Sequence, residues 1–227
     1  MINNLDYVLD FNPVFKATGQ FMQGVLITLG FALATIVIGT LLGFLLCLCR
    51  ISKSKVLSSI SAFYISVVRG TPLLIQLYIL AYGIPMLLSV NISIYISGIL
   101  ALGLNSSAYV AEIFRSGIQS VDSGQIEGSR SLGFSYSYTI KNVVFPQALK
   151  NILPAIGNEF VTIVKESSVV SLIGIADITR VADIVKADTL KVFEALIYAA
   201  VLYYVITTSL TFLICFGERK LNKYAAR

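Results

Sequence analysis

Gln125-Ile126-Glu127-Gly128-Ser129-Arg130-Ser131-Leu132-Gly133, followed after nine residues by Val143-Val144-Phe145-Pro146, is a polar insert in an otherwise apolar chain. Its pattern is that of a helix, a break and a second helix. Glu127 is expected in the first turn, where the positive end of the helix favours a carboxylate, and Gly133 can take the left-handed conformation that ends it. Gly128 and Ser129 leave one face thin, and Ser135 can cap a second helix expected to run to Pro146. A thin-faced helix lying along a membrane surface can enter a cleft on a soluble partner. The segment 122–146 therefore reads as a coupling element, carried by Glu127, Gly128, Ser129, Arg130, Gly133 and Pro146.

The chain around the insert is built for a bilayer. With 56% hydrophobic residues, 13% charged residues and a mean hydropathy of +0.83, it is no ordinary soluble domain. No charged residue occurs from Ala17 to Cys49, from Gly70 to Ala111, or from Ala195 to Gly217. Since about 20 apolar residues cross a bilayer, the first and last runs hold one span each. The middle run holds the end of one span, a break at Gly83 to Asn91, and another span. A further signal, Ile152 to Ile175, is interrupted by Glu159, Lys165 and Glu166. The spacing predicts five transmembrane helices, over 21–49, 56–82, 92–114, 151–174 and 194–216. They form one all-α integral membrane domain over 1–227. The first span starts late, is long and lacks a basic leader, so it reads as a retained helix and not as a cleaved signal.

Lys and Arg in short connections stay on the cytoplasmic side. Arg50, Lys53 and Lys55 follow the first span, Arg115, Arg130, Lys141 and Lys150 surround the insert, and Arg219, Lys220, Lys223 and Arg227 end the chain. The opposite side has Lys16, Arg180, Lys186 and Lys191, diluted by Asp6, Asp10, Asp177, Asp183 and Asp188. The N-terminus is thus expected outside, and the insert and C-terminus in the cytoplasm. Anionic headgroups account for the net charge of +5 without a nucleic-acid partner. Cys47, Cys49 and Cys215 lie in or beside spans, and with no His in the chain they suggest neither a disulfide framework nor a metal site. No cofactor is expected.

There is no phosphate-cradling G-x-x-x-x-G-K-[ST] loop, so nucleotide energy must come from another subunit. No paired catalytic carboxylates or nucleophile elbow appears outside the membrane. The chain therefore reads as a non-catalytic transport subunit. An ion-coupled secondary transporter would need no docking helix and usually shows paired broken-helix repeats. A membrane scaffold would leave the polar residues within the spans with no role beyond bonding helices together.

Glu127, two small residues, three variable ones and Gly133, then nine more before an aliphatic residue and Pro146, resemble the EAA motif of bacterial ABC importer permeases. Arg69-Gly-Thr-Pro-Leu-Leu74 with Gln76 is similar to the signature of the polar amino acid permeases within that class. Leu104-Asn-Ser-Ser-Ala-Tyr-Val-Ala-Glu-Ile-Phe-Arg115, Leu153-Pro-Ala-Ile-Gly-Asn-Glu-Phe160 and Lys165-Glu-Ser-Ser168 extend the likeness along the chain. Gly128 and Ser129 replace the motif's two alanines, Val143 its isoleucine and Phe145 its leucine. The resemblance implies a type I ABC importer fold of five helices in the bacterial inner membrane. It also implies a second permease subunit, as homodimer or heterodimer, two cytoplasmic ATPase subunits and an extracytoplasmic substrate-binding protein. The implied cargo is a polar amino acid, with arginine, lysine or histidine favoured by Glu159 and glutamine, glutamate or cystine as alternatives.

Two polar stripes fall on membrane helices. Asn158, Thr162, Lys165 and Val169 follow helical spacing, as do Glu159, Thr162 and Glu166 on an adjoining strip. In the third span Asn105, Tyr109 and Glu112 share a face, with Ser106 beside them. Such stripes could line a path in which hydroxyls, amides or Lys165 hold an α-carboxylate and Glu159 or Glu166 an amine or guanidinium. They could equally bond helix to helix, with Lys165 pairing to a glutamate. Arg69 lies within a span, where a charge pairs or faces an aqueous cavity. It reads first as a structural residue bonded to a carboxylate or backbone carbonyls, beside a bend at Gly70 and Pro72, and second as a substrate contact. Glu112 and Arg115 read as an ion pair near the cytoplasmic edge.

Overall fold

The computed structural model describes residues 8–225, with side chains to Arg219. The expectations for Asp6 and Arg227 lie outside those residues, and those for Lys220 and Lys223 outside the described side chains. The described residues form helices and connecting turns with no strand. Three helices are long and apolar enough to cross a membrane, and a bent pair supplies a fourth crossing if it counts as one span.

After a short α1 (Asn12–Lys16), the charge-free run forms α2 (Thr18–Arg50). Its buried edge is a ladder of small residues, Gly24, Thr28, Ala32, Thr35, Gly39, Gly43 and Cys47, at intervals of three and four. Lipid offers no hydrophobic drive for helices to associate, so close backbone approach along such a ladder supplies the packing. The partner is α6 (Ile94–Gln119), the most buried of the three long apolar helices. A Cβ on Gly43 would lie 2.8 Å from the Cβ of Val110, and one on Gly39 only 2.6 Å from Ser106 Oγ.

The second predicted span is not one straight helix. α3 (Lys55–Gly70) and the segment from Leu73 to Leu88 bend by 105° at Thr71 and Pro72. Beyond the bend, α4 (Leu73–Tyr78) continues through a widened π turn (Ile79–Gly83) into α5 (Ile84–Leu88). The helix thus continues past Gly83, and the break falls late in the expected window of Gly83 to Asn91. The break comes at Ser89, in the left-handed region at φ 52°.

Pro146 does not end a helix either. A π turn (Ile140–Val144) joins α8 (Tyr136–Thr139) directly to α9 (Phe145–Glu166). Pro85 and Pro146 thus share a setting, each in the first turn of a helix that follows a π turn. Proline lacks an N–H and collides with the carbonyl four residues back, and a widened turn relieves both problems. As a result, the helix predicted as the fourth span begins at Phe145, six residues before its predicted start, and ends in a 3₁₀ stretch (Ser167–Ile173) closed by Gly174 at φ 89°.

The connection between α9 and the last long helix contains an unanticipated helix, α10 (Ile178–Thr189). Its inward residues Ile178, Val181, Ala182 and Val185 pack with Phe21 of α2 and Ala195 and Ala199 of α11 (Val192–Ala225). α11 runs past its predicted end, and only 6% of its apolar stretch is buried, so most of its surface is available to lipid or a neighbouring subunit.

Candidate translocation cavity and coupling helix

The segment predicted to couple to a partner forms α7 (Ser123–Ser131). Asp122 caps it by accepting from the N–H of Gly124 at 2.7 Å, so the helix starts earlier than expected. Glu127 consequently lies in the second turn, not the first, with its side chain exposed. At the other end Gly133 has φ 86°, its N–H donates to the Arg130 carbonyl at 3.0 Å, and the Phe134 N–H donates to Ser129 at 3.4 Å. These paired bonds satisfy carbonyls that the helix end would leave open.

Gly128 and Ser129 do not act alike. A Cβ on Gly128 would meet nothing within 4 Å, so that face is open. The Ser129 hydroxyl is instead buried against Thr139 at 2.8 Å and ties α7 to α8. Ser135 caps α8 by accepting from the Tyr138 N–H at 3.2 Å. Arg130 donates to the Phe134 carbonyl at 2.6 Å, which stiffens the turn after α7. Gly124, Gln125, Gly128, Ser129, Leu132, Phe134 and Val143 line a groove of about 330 Å³ in this element.

Residues of α3, α6 and α9 line an open cavity of about 280 Å³, formed by Arg69, Tyr109, Glu112, Ile113, Ser116 and Glu159. Glu159 projects from α9 and accepts a hydrogen bond from Ser106 Oγ at 3.2 Å. Among the described residues it makes no ion pair. The Arg69 guanidinium lies over the Tyr109 ring, 5.3 Å from its centroid, within cation–π range. Among the described residues Arg69 makes no hydrogen bond or ion pair with a carboxylate or carbonyl, and Glu112, which lines the same cavity, acts on it only at longer range. Glu112 and Arg115 form a two-pronged ion pair at 2.6 to 3.1 Å, and Arg115 also donates to Gln119 at 2.6 Å.

The two strips on α9 separate. Glu159 turns toward α6, whereas Lys165 is exposed in a different groove, shared with Thr207, Thr208, Thr211 and Arg219 on or near α11. Lys165 forms no ion pair with Glu166 or any other described carboxylate, contrary to the pairing reading. The neighbours Lys165 and Glu166 point in different directions around the helix, so the Lys165 charge acts on Glu166 without a direct ion pair. Asn158 is exposed, and its carbonyl accepts from Thr162 Oγ1 at 3.2 Å. Asn105 is buried and donates to Gln76 at 3.1 Å, so it joins helices and does not line the cavity.

Ile113, Ser116 and Gln76 were not singled out from sequence. Ser116 follows Glu112 by one turn on the face of Tyr109, a spacing that could have revealed it. Gln76 was noted only as part of a signature, yet it bonds across the bend between α3 and α4.

Residues 35–223 match the model of the family described as binding-protein-dependent transport system inner membrane component. The chain belongs to that family. It is a permease subunit of an ABC importer, and the ion-coupled and scaffold readings fall away. A curated relative, the arginine transport system permease protein ArtQ of Bacillus subtilis (strain 168), is 43% identical over 94% of this chain and 98% of its own length. The putative glutamine transport system permease protein GlnP of Rickettsia typhi is 35% identical over 96% of this chain and 98% of its own. A solved amino acid ABC transporter, described as a crystal structure with histidines, has a chain similar at a TM-score of 0.91 and 44% identity, covering 94% of this permease and 100% of that chain. The MetNI methionine transporter, at a TM-score of 0.76 and 19% identity, shares the fold with this permease.

Proposed function

We propose that the chain, as one domain over 1–227, is the five-span permease of a bacterial inner-membrane importer for cationic amino acids. The observation that carries the cargo class is Glu159, a carboxylate on the wall of the α3–α6–α9 cavity that one serine hydroxyl holds and no described cation neutralises. An incoming ammonium or guanidinium would supply the missing charge. Arg69, which lines the same cavity, would take the α-carboxylate, a role for which the sequence offered hydroxyls, amides or Lys165 and kept Arg69 as a second reading. The arginine and histidine in the descriptions of two close relatives support this class, and the glutamine permeases define the competing one.

The five spans would be α2, the bent α3–α4 unit, α6, α9 and α11. The N-terminus lies outside, and α7 faces the cytoplasm as the coupling helix. Two permease subunits, two ATPases and an external binding protein complete the importer. The loaded binding protein docks outside, and ATP binding closes the ATPases. α7 passes their motion to α9 through the Ser129–Thr139 bond and the continuous rod beyond it, opening the cavity to the cargo. Hydrolysis then restores the inward-facing state.

The test is uptake by the complete importer in proteoliposomes, with arginine, lysine, histidine and glutamine compared one at a time. Glu159→Gln is expected to lower uptake of the charged substrates by roughly tenfold to a hundredfold, the range of a lost charge-assisted bond, and to affect glutamine much less. Equal losses for all four would refute the cationic assignment.

A further inference from the structure

Pro72 has no N–H, so the carbonyl of Val68, four residues earlier, loses the donor that an unbroken helix would give it. At membrane depth an unpaired carbonyl is costly. Gln76, four residues beyond Pro72, supplies the donor. Its Nε2 lies 2.8 Å from the Val68 carbonyl, 3.2 Å from that of Thr71 and 2.9 Å from Thr71 Oγ1. Its Oε1 accepts from Asn105 Nδ2 at 3.1 Å. Chemistry fixes this orientation, because the reversed amide would aim its oxygen at two carbonyls that cannot donate.

Val68 and Thr71 bracket Arg69. The guanidinium of Arg69 lies over Tyr109, which stands one helical turn from Asn105 on α6. One face of α6 therefore holds both the anchor of the Gln76 amide and the ring beneath the guanidinium.

We propose that Gln76 is a positioning residue for Arg69, clamping the bent backbone on either side of it and tying that backbone to Asn105, so that the guanidinium is fixed in the cavity. This rests on reading the cavity as the transport path. A leucine at 76 would leave the Val68 carbonyl without a donor. A glutamate of nearly the same shape would point an acceptor at acceptors, so shape alone cannot replace the amide.

The test uses the complete importer in proteoliposomes with radiolabelled arginine, and compares Gln76→Leu, Arg69→Met and the pair. Each single change is expected to lower the maximal uptake rate on the order of tenfold to a hundredfold, the scale of a misplaced contact group. The concentration of loaded binding protein giving half-maximal uptake should stay unchanged, since the outer surface is untouched. The double variant should fall no further than Arg69→Met alone. Multiplied losses would mean that Gln76 supports the helix independently of Arg69 and would overturn the proposal, as would normal uptake by either single variant. Gln76→Glu should lose as much as Gln76→Leu, and normal uptake there would also overturn it. If Gln76→Leu does not assemble, Asn105→Ala cuts only the far anchor and is judged in the same cycle by the same outcomes. A failure of the cationic assignment would appear separately, in the substrate series of Glu159→Gln.

Discussion

Replacing Asp177 by Asn should remove a pH-dependent part of the stability of the packing around α10. Asp177 is fully buried ahead of α10, where Oδ1 accepts from the Arg180 N–H at 2.8 Å and Oδ2 from the Tyr203 hydroxyl at 3.1 Å. Burial pushes its carboxyl from 3.8 up to about 6, against the opposing pull of those bonds, and nearby Asp183 adds to the rise. A folded-state value above the unfolded one means that the folded protein holds the proton more tightly. The resulting stabilisation is complete below 3.8 and lost as pH rises through about 6. The full difference corresponds to about 3 kcal/mol. Of this, about 1.4 kcal/mol returns when the pH is lowered from about 8 to about 5. Asn keeps an oxygen for the helix cap but carries no titrating charge. Thermal unfolding of the purified importer in detergent would be measured for both proteins across this range, so that other titrations cancel in the difference. The wild type should gain on the variant as pH falls. A difference that stays constant with pH would refute the reasoning.

Much of the fold was legible because bilayer physics writes it in composition. The charge-free runs place α2, α6 and α11, and Gly133 marks the end of α7, because these depend on residues near in sequence. What escaped were features that need a partner across the fold. Pro146 looked like a helix end because a sequence does not reveal the π turn that accommodates it. The segment of α10 entered the sequence reading only through its charges, although Ile178, Val181, Ala182 and Val185 carry the spacing of a buried face. Within the site, helical periodicity put Glu159 and Lys165 on adjoining strips but could not say which neighbour each strip would meet. The α6 packing takes Glu159 into the cavity and leaves Lys165 in another groove. Asn105 shows the same limit, since a buried amide on a polar face serves a ligand or another helix equally well until its partner, here Gln76, is seen.

Two further outcomes test the frame that holds the site. Gly43→Val would push new atoms toward Val110 and the Ser107 carbonyl, because even a Cβ there lies 2.8 and 2.9 Å from them. Overpacking of this kind costs about 1–3 kcal/mol, so the purified subunit should unfold at a lower temperature, and an unchanged transition would refute the close α2–α6 contact. Glu127→Lys should separate ATP hydrolysis from uptake. Glu127 is exposed and makes no hydrogen bond or ion pair among the described residues, so the reversal should alter the stability of the membrane domain by no more than about 0.5 kcal/mol. If α7 seats in the ATPase, the reversed charge meets that surface directly, and arginine uptake should fall while the subunit retains its normal unfolding temperature. Full ATP-driven uptake with Lys at 127 would place the mechanical contact elsewhere. A loss of uptake accompanied by unfolding would instead make Glu127 a residue of the fold, which its exposure on α7 argues against.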